Sequence, residues 1–165
     1  MPTDVLTATL GAPIRPGLPD GVRLHPLDAG DADALAAVYL ESYPPGVAAS
    51  DLADARREMA ATFRGEYGTV RTDASVSAWH EATLVGAIMV VDRSIWDAWL
   101  AGPFIIDLFV SPAHRGLAIG RALVTHAIGA CTDAGDPTLS LRFGAGTSAA
   151  AMAIYRELGF LPRQG

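Results

Sequence analysis

The chain has 165 residues, half of them hydrophobic and 18 % charged, which fits one globular domain with a full core and excludes a disordered chain. Its net charge of −6 argues against a general nucleic-acid binder and suits a cationic substrate. The single cysteine, Cys131, excludes an internal disulfide and a cysteine-rich zinc site.

Residues 1–20 carry Pro2, Pro13, Pro16 and Pro19 with little periodicity and are expected to form a flexible arm ahead of a folded domain over 21–165. They hold Asp4 and no early basic cluster, so they do not read as a secretory signal, and no apolar run reaches a membrane span. The cytoplasm is the expected compartment, with no membrane partner. Val22, Leu24 and Leu27 around Pro26 predict an edge strand over 21–27. Asp31 is a candidate N-cap for a helix with Leu35, Val38 and Tyr39 on one face, stopped by Tyr43-Pro44-Pro45-Gly46. Ser50 or Asp51 caps a second helix through Leu52, Arg56, Met59 and Phe63. Strands follow over 75–80 and 84–91, joined by a turn at 81–83. Gly86, inside the second of these, predicts a bulge or a close backbone approach. Trp96 and Trp99 are spaced as on one helical turn and could line an acceptor pocket or cover the sheet, with core or interface the favoured reading.

The run 104–110, Phe-Ile-Ile-Asp-Leu-Phe-Val, is almost continuously apolar and reads as a strand covered on both faces, ended by Pro112. Ile119, Leu123, Val124, Ala127, Ile128 and Cys131 then mark one face of a helix, where Cys131 is an inert buried thiol. After the turn Gly135-Asp136-Pro137 come a strand over 138–143, a loop over 144–146, and a helix over 148–158 closed by Gly159. This order predicts an α/β (α+β) fold with about four helices on a mixed, mostly antiparallel sheet. Its parallel pair is the fourth and fifth predicted strands, 104–110 and 138–143, joined by a crossover helix.

Between strand and helix, Gly116 and Gly120 are flanked by Arg115 and Arg121. A glycine-bearing turn into a helix N-terminus leaves main-chain N–H groups pointing outward at the positive end of the helix dipole, a geometry that binds phosphate oxygens. The lysine-bearing nucleotide loop and the G-x-G-x-x-G dinucleotide fingerprint are both absent.

Val110-x-Pro112 followed by Arg115-x-x-Ala118-x-Gly120 resembles the acyl-CoA loop of the GCN5-related N-acetyltransferase (GNAT) superfamily, with Ala118 where the family usually has glycine. Ser148-x-x-Ala151-x-x-Ile154-Tyr155-x-x-x-Gly159-Phe160 resembles the family's second motif, with Ser148 in place of asparagine. The likeness spans 21–160 and implies the acyl-CoA N-acyltransferase fold. It implies transfer of an acetyl group from acetyl-CoA to a primary amine on a small molecule or peptide, with no metal. Cofactor contacts would come from the main chain of Leu108, Phe109 and Val110, from Arg115, Gly116, Leu117, Ala118, Ile119, Gly120 and Arg121, and from Ser148 and Ala151. Arg115 and Arg121 would supply the basic patch. Tyr155 would be the general acid that protonates the departing thiolate.

Asp107, a carboxylate among apolar neighbours, is a candidate base with a raised pKa; its structural alternative is pairing with Arg142 or a hydroxyl. Strand alternation puts it on the face opposite Ile106 and Leu108. The run around it resembles the diamine acetyltransferase branch, but Ile106 stands where that branch has glutamate. His80, Glu66 and Glu81 read as surface groups near turns, and His114 as a charge opening the phosphate loop. A different class of function is a non-catalytic acyl-CoA-binding sensor. The family usually continues into further strand structure after Phe160, so the last strand is expected to be missing or borrowed, and an exposed edge would suit a homodimer.

Overall fold

The computed structural model of the protein describes residues 4–144 and 146–163. Seven strands form one sheet: β1 (Val5–Thr9), β2 (Val22–Pro26), β3 (Val76–His80), β4 (Thr83–Val91), β5 (Phe104–Val110), β6 (Thr138–Arg142) and β7 (Phe160–Arg163). Their order across the sheet is β2-β3-β4-β5-β6-β1-β7, and only β5 and β6 run parallel. The helices are α1 (Ala32–Ser42), α2 (Leu52–Phe63), α3 (Ile119–Asp133) and α4 (Ala149–Glu157). The expected fold class holds. The parallel pair is the one predicted by residue, but it counts as the fifth and sixth strands because β1 precedes the others.

The N-terminal stretch departs from the expected flexible arm. Val5–Thr9 is a strand between β6 and β7, pairing antiparallel with both, and Val5, Leu6 and Ala8 are buried. Leu10 donates its N–H to the Pro137 carbonyl, and Ile14 packs on the main core. Gly129, in the middle of α3, makes room for this crossing: a Cβ there would fall 2.4 Å from the Ile14 carbonyl oxygen. Arg15 adds an ion pair with Asp133 at the end of α3. The missing or borrowed last strand is also corrected, because β7 is present and pairs with β1.

Local differences have local causes. Asp31 makes no side-chain cap; instead Asp28 accepts from Gly30 N–H and opens a short 3-10 turn, Ala29–Asp31, from which α1 starts. Asp51 caps α2 by accepting from Asp54 N–H, as expected. Trp96 and Trp99 lie on an irregular connection instead of a helical turn; Trp96 stacks on Tyr67 and both tryptophans stay partly exposed. At Gly86 a Cβ would fall 2.7 Å from the Phe109 carbonyl oxygen, the close approach that its place in the strand suggested.

α1 and α2 cover one face of the sheet over Leu84, Ala87, Met89 and Phe109. α3 and α4 cover the other over Val85, Ile88, Ile105 and Leu141. If β1 is integral to this core, Leu6→Ala should lower the unfolding free energy by about 2–4 kcal/mol in urea titration, the cost of emptying a buried leucine site. A loosely docked arm would leave it within about 0.5 kcal/mol.

Candidate active site

β5 is paired along its whole length with β4, but with β6 only at Phe104↔Ser140 and Ile105↔Leu141. Beyond Ile105 the two parallel strands part. The opening is a groove of about 640 Å³ whose lining includes Asp107, Leu108, Val110, Gly116, Ala118 and Tyr155.

Polar groups alternate along β5. Ser111 N–H bonds Val85 O on β4, so the main chain of Asp107 and Phe109 also faces β4. The polar groups of Leu108 and Val110 face away from it: Tyr43 Oη lies 3.3 Å from Leu108 O, and Ser42 Oγ 3.2 Å from Val110 O. Of the three expected main-chain donors, Leu108 and Val110 stand on the groove edge, and Phe109 N–H turns toward β4.

The turn entering α3 meets the main-chain requirement. Among the described residues, no N–H from Gly116 to Arg121 has a protein acceptor, and α3 has no side-chain N-cap. Gly116 and Ala118 both have positive φ, 81° and 64°. Ala118 therefore holds the left-handed conformation with a methyl group attached, at a cost of about 1–2 kcal/mol. Gly120 faces α4, and a Cβ there would make an ordinary van der Waals contact with Ile154 at 3.4 Å. Ile119 is buried and Leu117 exposed.

The expected basic patch is changed. Arg115 donates to the Ser42 carbonyl, tying the turn to the end of α1, and Arg121 pairs with Glu157 on α4. The unengaged donors of this turn are therefore its main-chain amides, not Arg121. Ser148 is the N-cap of α4, accepting from Ala151 N–H at 3.0 Å. That replaces the role asparagine would play at a helix start.

Tyr155 lies on α4 with its ring edge-on to Phe160, at 5.6 Å between centroids. Burial, and then the charge of Asp107, push its phenol well above the ordinary range, so it keeps its proton. Its hydroxyl has no protein partner among the described residues and lines the groove.

Asp107 reaches the groove through a bulge. Val90 pairs with Ile105 and Met89 with Asp107, so Ile106 is an extra residue in β5. Strict alternation would set Ile106 and Asp107 on opposite faces; the bulge instead gives Asp107 the face of Met89 and Phe109, and Ile106 packs against that same core. Asp107 does not pair with Arg142, which is held by Asp4 and Asp97. Its partner is the Tyr43 hydroxyl, 3.1 Å from Oδ1. Burial pushes its carboxyl up to about 7; the Tyr43 hydrogen bond pulls against this and the charge of Glu58 adds to it. Tyr43 was visible in the sequence only as the residue before a helix-stopping Pro-Pro pair.

The remaining candidates stand aside. Glu66 pairs with Arg64, and Glu81 sits exposed in the turn after β3. His80 and His114 lie ring to ring at 5.4 Å, with His114 on the groove wall. No group of three metal-ligating side chains occurs among the described residues.

Two outcomes test this geometry. Ala118→Gly should raise stability by up to about 1 kcal/mol in urea titration, because left-handed strain is relieved against glycine's smaller entropic cost. Asp107→Asn should melt higher than the parent at pH 8, with the difference closing near pH 4. Between the ordinary aspartate value of about 4 and the folded value of about 7, the native state holds a proton the unfolded chain has lost, so stability falls as pH rises across that window. An equal shift at both pH values in calorimetry would contradict the assignment.

The acetyltransferase (GNAT) family model matches residues 33–160. No curated protein matches the chain. Among solved structures, a GCN5-related N-acetyltransferase from Sphaerobacter thermophilus superposes with a TM-score of 0.72 at 20 % identity, covering 96 % of this chain and 47 % of that one. This chain thus spans about half the length of that relative. The ribosomal-protein-S18-alanine N-acetyltransferase from Escherichia coli gives a TM-score of 0.64 at 20 % identity, covering 87 % of this chain and 79 % of that one. An aminoglycoside antibiotic 6'-N-acetyltransferase from Acinetobacter haemolyticus gives 0.60 at 13 % identity, covering 87 % and 93 %. These likenesses establish a shared fold, and the matched model, extending from α1 through the amide-bearing turn to Phe160, shows that the chain belongs to the acetyltransferase (GNAT) family.

Proposed function

We propose that the protein transfers the acetyl group of acetyl-CoA to a primary amine by direct attack, with Tyr155 as general acid and Asp107 as base. The observation that carries this reading is the opening between β5 and β6. One groove gathers the uncapped amides of 116–121, the free edge of β5, the Tyr155 hydroxyl and the Asp107 carboxyl. The amides and dipole of the turn would hold the pyrophosphate, and the Leu108 and Val110 edge the pantetheine amides. A free N–H on that edge would also meet the carbonyl oxygen as it gains charge.

The proton count closes. The amine nitrogen bonds to the acyl carbon and the carbon–sulfur bond breaks. An ammonium acceptor sheds two protons on becoming an amide: Tyr155 gives its proton to the thiolate and regains one from the nitrogen through water, and Asp107 takes the other, directly or through water, and releases it to solvent before the next turnover. A carboxyl with a pKa near neutrality is suited to receive that proton, given that a lysine-like amine arrives protonated, with a pKa of about 10.4. Cys131 is not the nucleophile: it is fully buried in α3, its thiol is pushed up to about 12 by burial, and it does not line the groove. A non-catalytic sensor would need the turn and the cleft but not Asp107 on the groove wall, so turnover is the better-supported reading.

The acceptor is an amine on a small molecule or peptide. The solved relatives named above include enzymes of both kinds, one for a ribosomal-protein alanine and one for an aminoglycoside. No helix among the described residues is long and apolar enough to cross a membrane, and we place the protein in the cytoplasm. A screen of alanine-initiated peptides, aminoglycosides, polyamines and simple alkylamines, read by released thiol, tests the reading. With the amine so found, Tyr155→Phe should lower kcat by about 100-fold or more while calorimetry shows acetyl-CoA binding unchanged. Tight acetyl-CoA binding with no turnover on any amine would instead make this a sensor.

A further inference from the structure

The end of α1 places polar side chains at the groove that the reaction above leaves unused. Ser42 donates within its own helix to Val38 O and approaches Val110 O. Tyr43, the next residue, lies within 3.1 Å of Asp107 Oδ1 and 3.3 Å of Leu108 O, so one phenolic proton is shared between a carboxylate and a strand carbonyl. Among the described residues, Tyr43 is the sole hydrogen-bond partner of the Asp107 carboxyl. The second oxygen, Oδ2, is neither bonded nor fully enclosed, and Asp107 lines the groove.

We propose that Tyr43 is the positioning residue of Asp107: its hydroxyl pins Oδ1 and leaves Oδ2 turned to the groove to receive the acceptor's proton. The proposal rests on the reading of Asp107 as base.

Three contacts make Tyr43 a fixed donor. Its ring packs edge-on to Tyr39 at 5.3 Å. Gly146 closes against its other side, where a Cβ would come within 3.3 Å of Tyr43 Cδ1 and 2.9 Å of Val47. Arg115 holds the carbonyl of Ser42, the residue before it. Burial, and then the charge of Asp107, raise the Tyr43 phenol far above its ordinary range, so it remains a donor throughout the working pH range. Both of its distances are long for O–H···O bonds, and the bond to Oδ1 should tighten when Asp107 ionises. Tyr43 thereby favours the charged form against the pull of burial.

No other group facing Asp107 does this. Glu58 on α2 opposes ionisation. Tyr39 on α1, Tyr67 after α2 and Tyr155 on α4 feel its charge without a hydrogen bond to it. Of the arginines on the groove wall, Arg142 is engaged by Asp4 and Asp97, Arg115 by Ser42 O and Arg121 by Glu157, and His114 on the same wall makes no hydrogen bond to Asp107. Removing the Tyr43 hydroxyl therefore has a definite sign: the pKa of Asp107 rises, and a base that works only when ionised becomes available at higher pH.

The test is a ¹³C NMR titration of the Asp107 carboxyl in the full chain without ligands, with Asp107→Asn to assign the resonance. Alongside it, kcat/KM is followed against pH with the amine selected in the screen. In Tyr43→Phe, which keeps the ring, the midpoint should move up by about one pH unit or more, as expected for loss of a hydrogen bond to a charged group. The acidic limb of kcat/KM should move with it, and the alkaline plateau should fall because Oδ2 loses its fixed aim. An unmoved carboxyl midpoint in Tyr43→Phe overturns the proposal, even if that variant is inactive. If Asp107→Asn abolishes the limb but Tyr43→Phe leaves it in place, the base reading stands and the positioning role fails. A limb that survives in Asp107→Asn removes the base reading and the proposal together.

Discussion

The site depends on a pair of parallel strands that stay together for only two paired positions. A sheet strand with one unpaired edge inside a protein carries main-chain groups that must find partners or water. Here the carbonyls of Leu108 and Val110 are met by side chains from the end of α1, and the remaining polar groups of that edge face an open groove. The same separation leaves room for α4 to bring Tyr155 alongside. The cleft is thus the place where the sheet stops being a sheet, and the groups around it are those that regular pairing would have consumed.

A second constraint is charge. The chain is acidic overall, and its turn into α3 has one arginine neutralised by Glu157 and another bound to a carbonyl. What this place has to offer an anion is amides and a helix terminus, whose interactions are short-ranged and direction-specific. The left-handed Ala118 stands among these unbonded N–H groups at the entry to α3, and its methyl is tolerated at a modest cost in strain.

Much of this was legible in the sequence where the information is local. Apolar periodicity located α1 to α4 and the strands β2 to β6, and the two family-like motifs named the turn, Tyr155 and Ser148. What escaped depends on residues far apart. Val5–Thr9 has the alternation of a strand, but its partners lie at 138–142 and 160–163, and the prolines that follow suggested looseness. The bulge at Ile106 leaves no mark in an apolar run, yet it decides which face Asp107 takes. Arg121 and Glu157 are 36 positions apart, so the motif could name the arginine but not its partner. Tyr43 carried a strong local signal as a helix stop, which hid the use of its hydroxyl.

The insertion of β1 between β6 and β7 has a consequence for how the molecule assembles. β1 can find its place only after β6 and β7 have been made, because both of its neighbours follow it in sequence with β2 to β5 in between. Long-range closures of this kind slow folding and leave an apolar segment waiting in solvent meanwhile. Half of the sheet, β2 through β5 with α1 and α2, can collapse early on near neighbours. The floor of the cleft can therefore form from near neighbours, and its far wall waits for the distant pairing of β1 with β6.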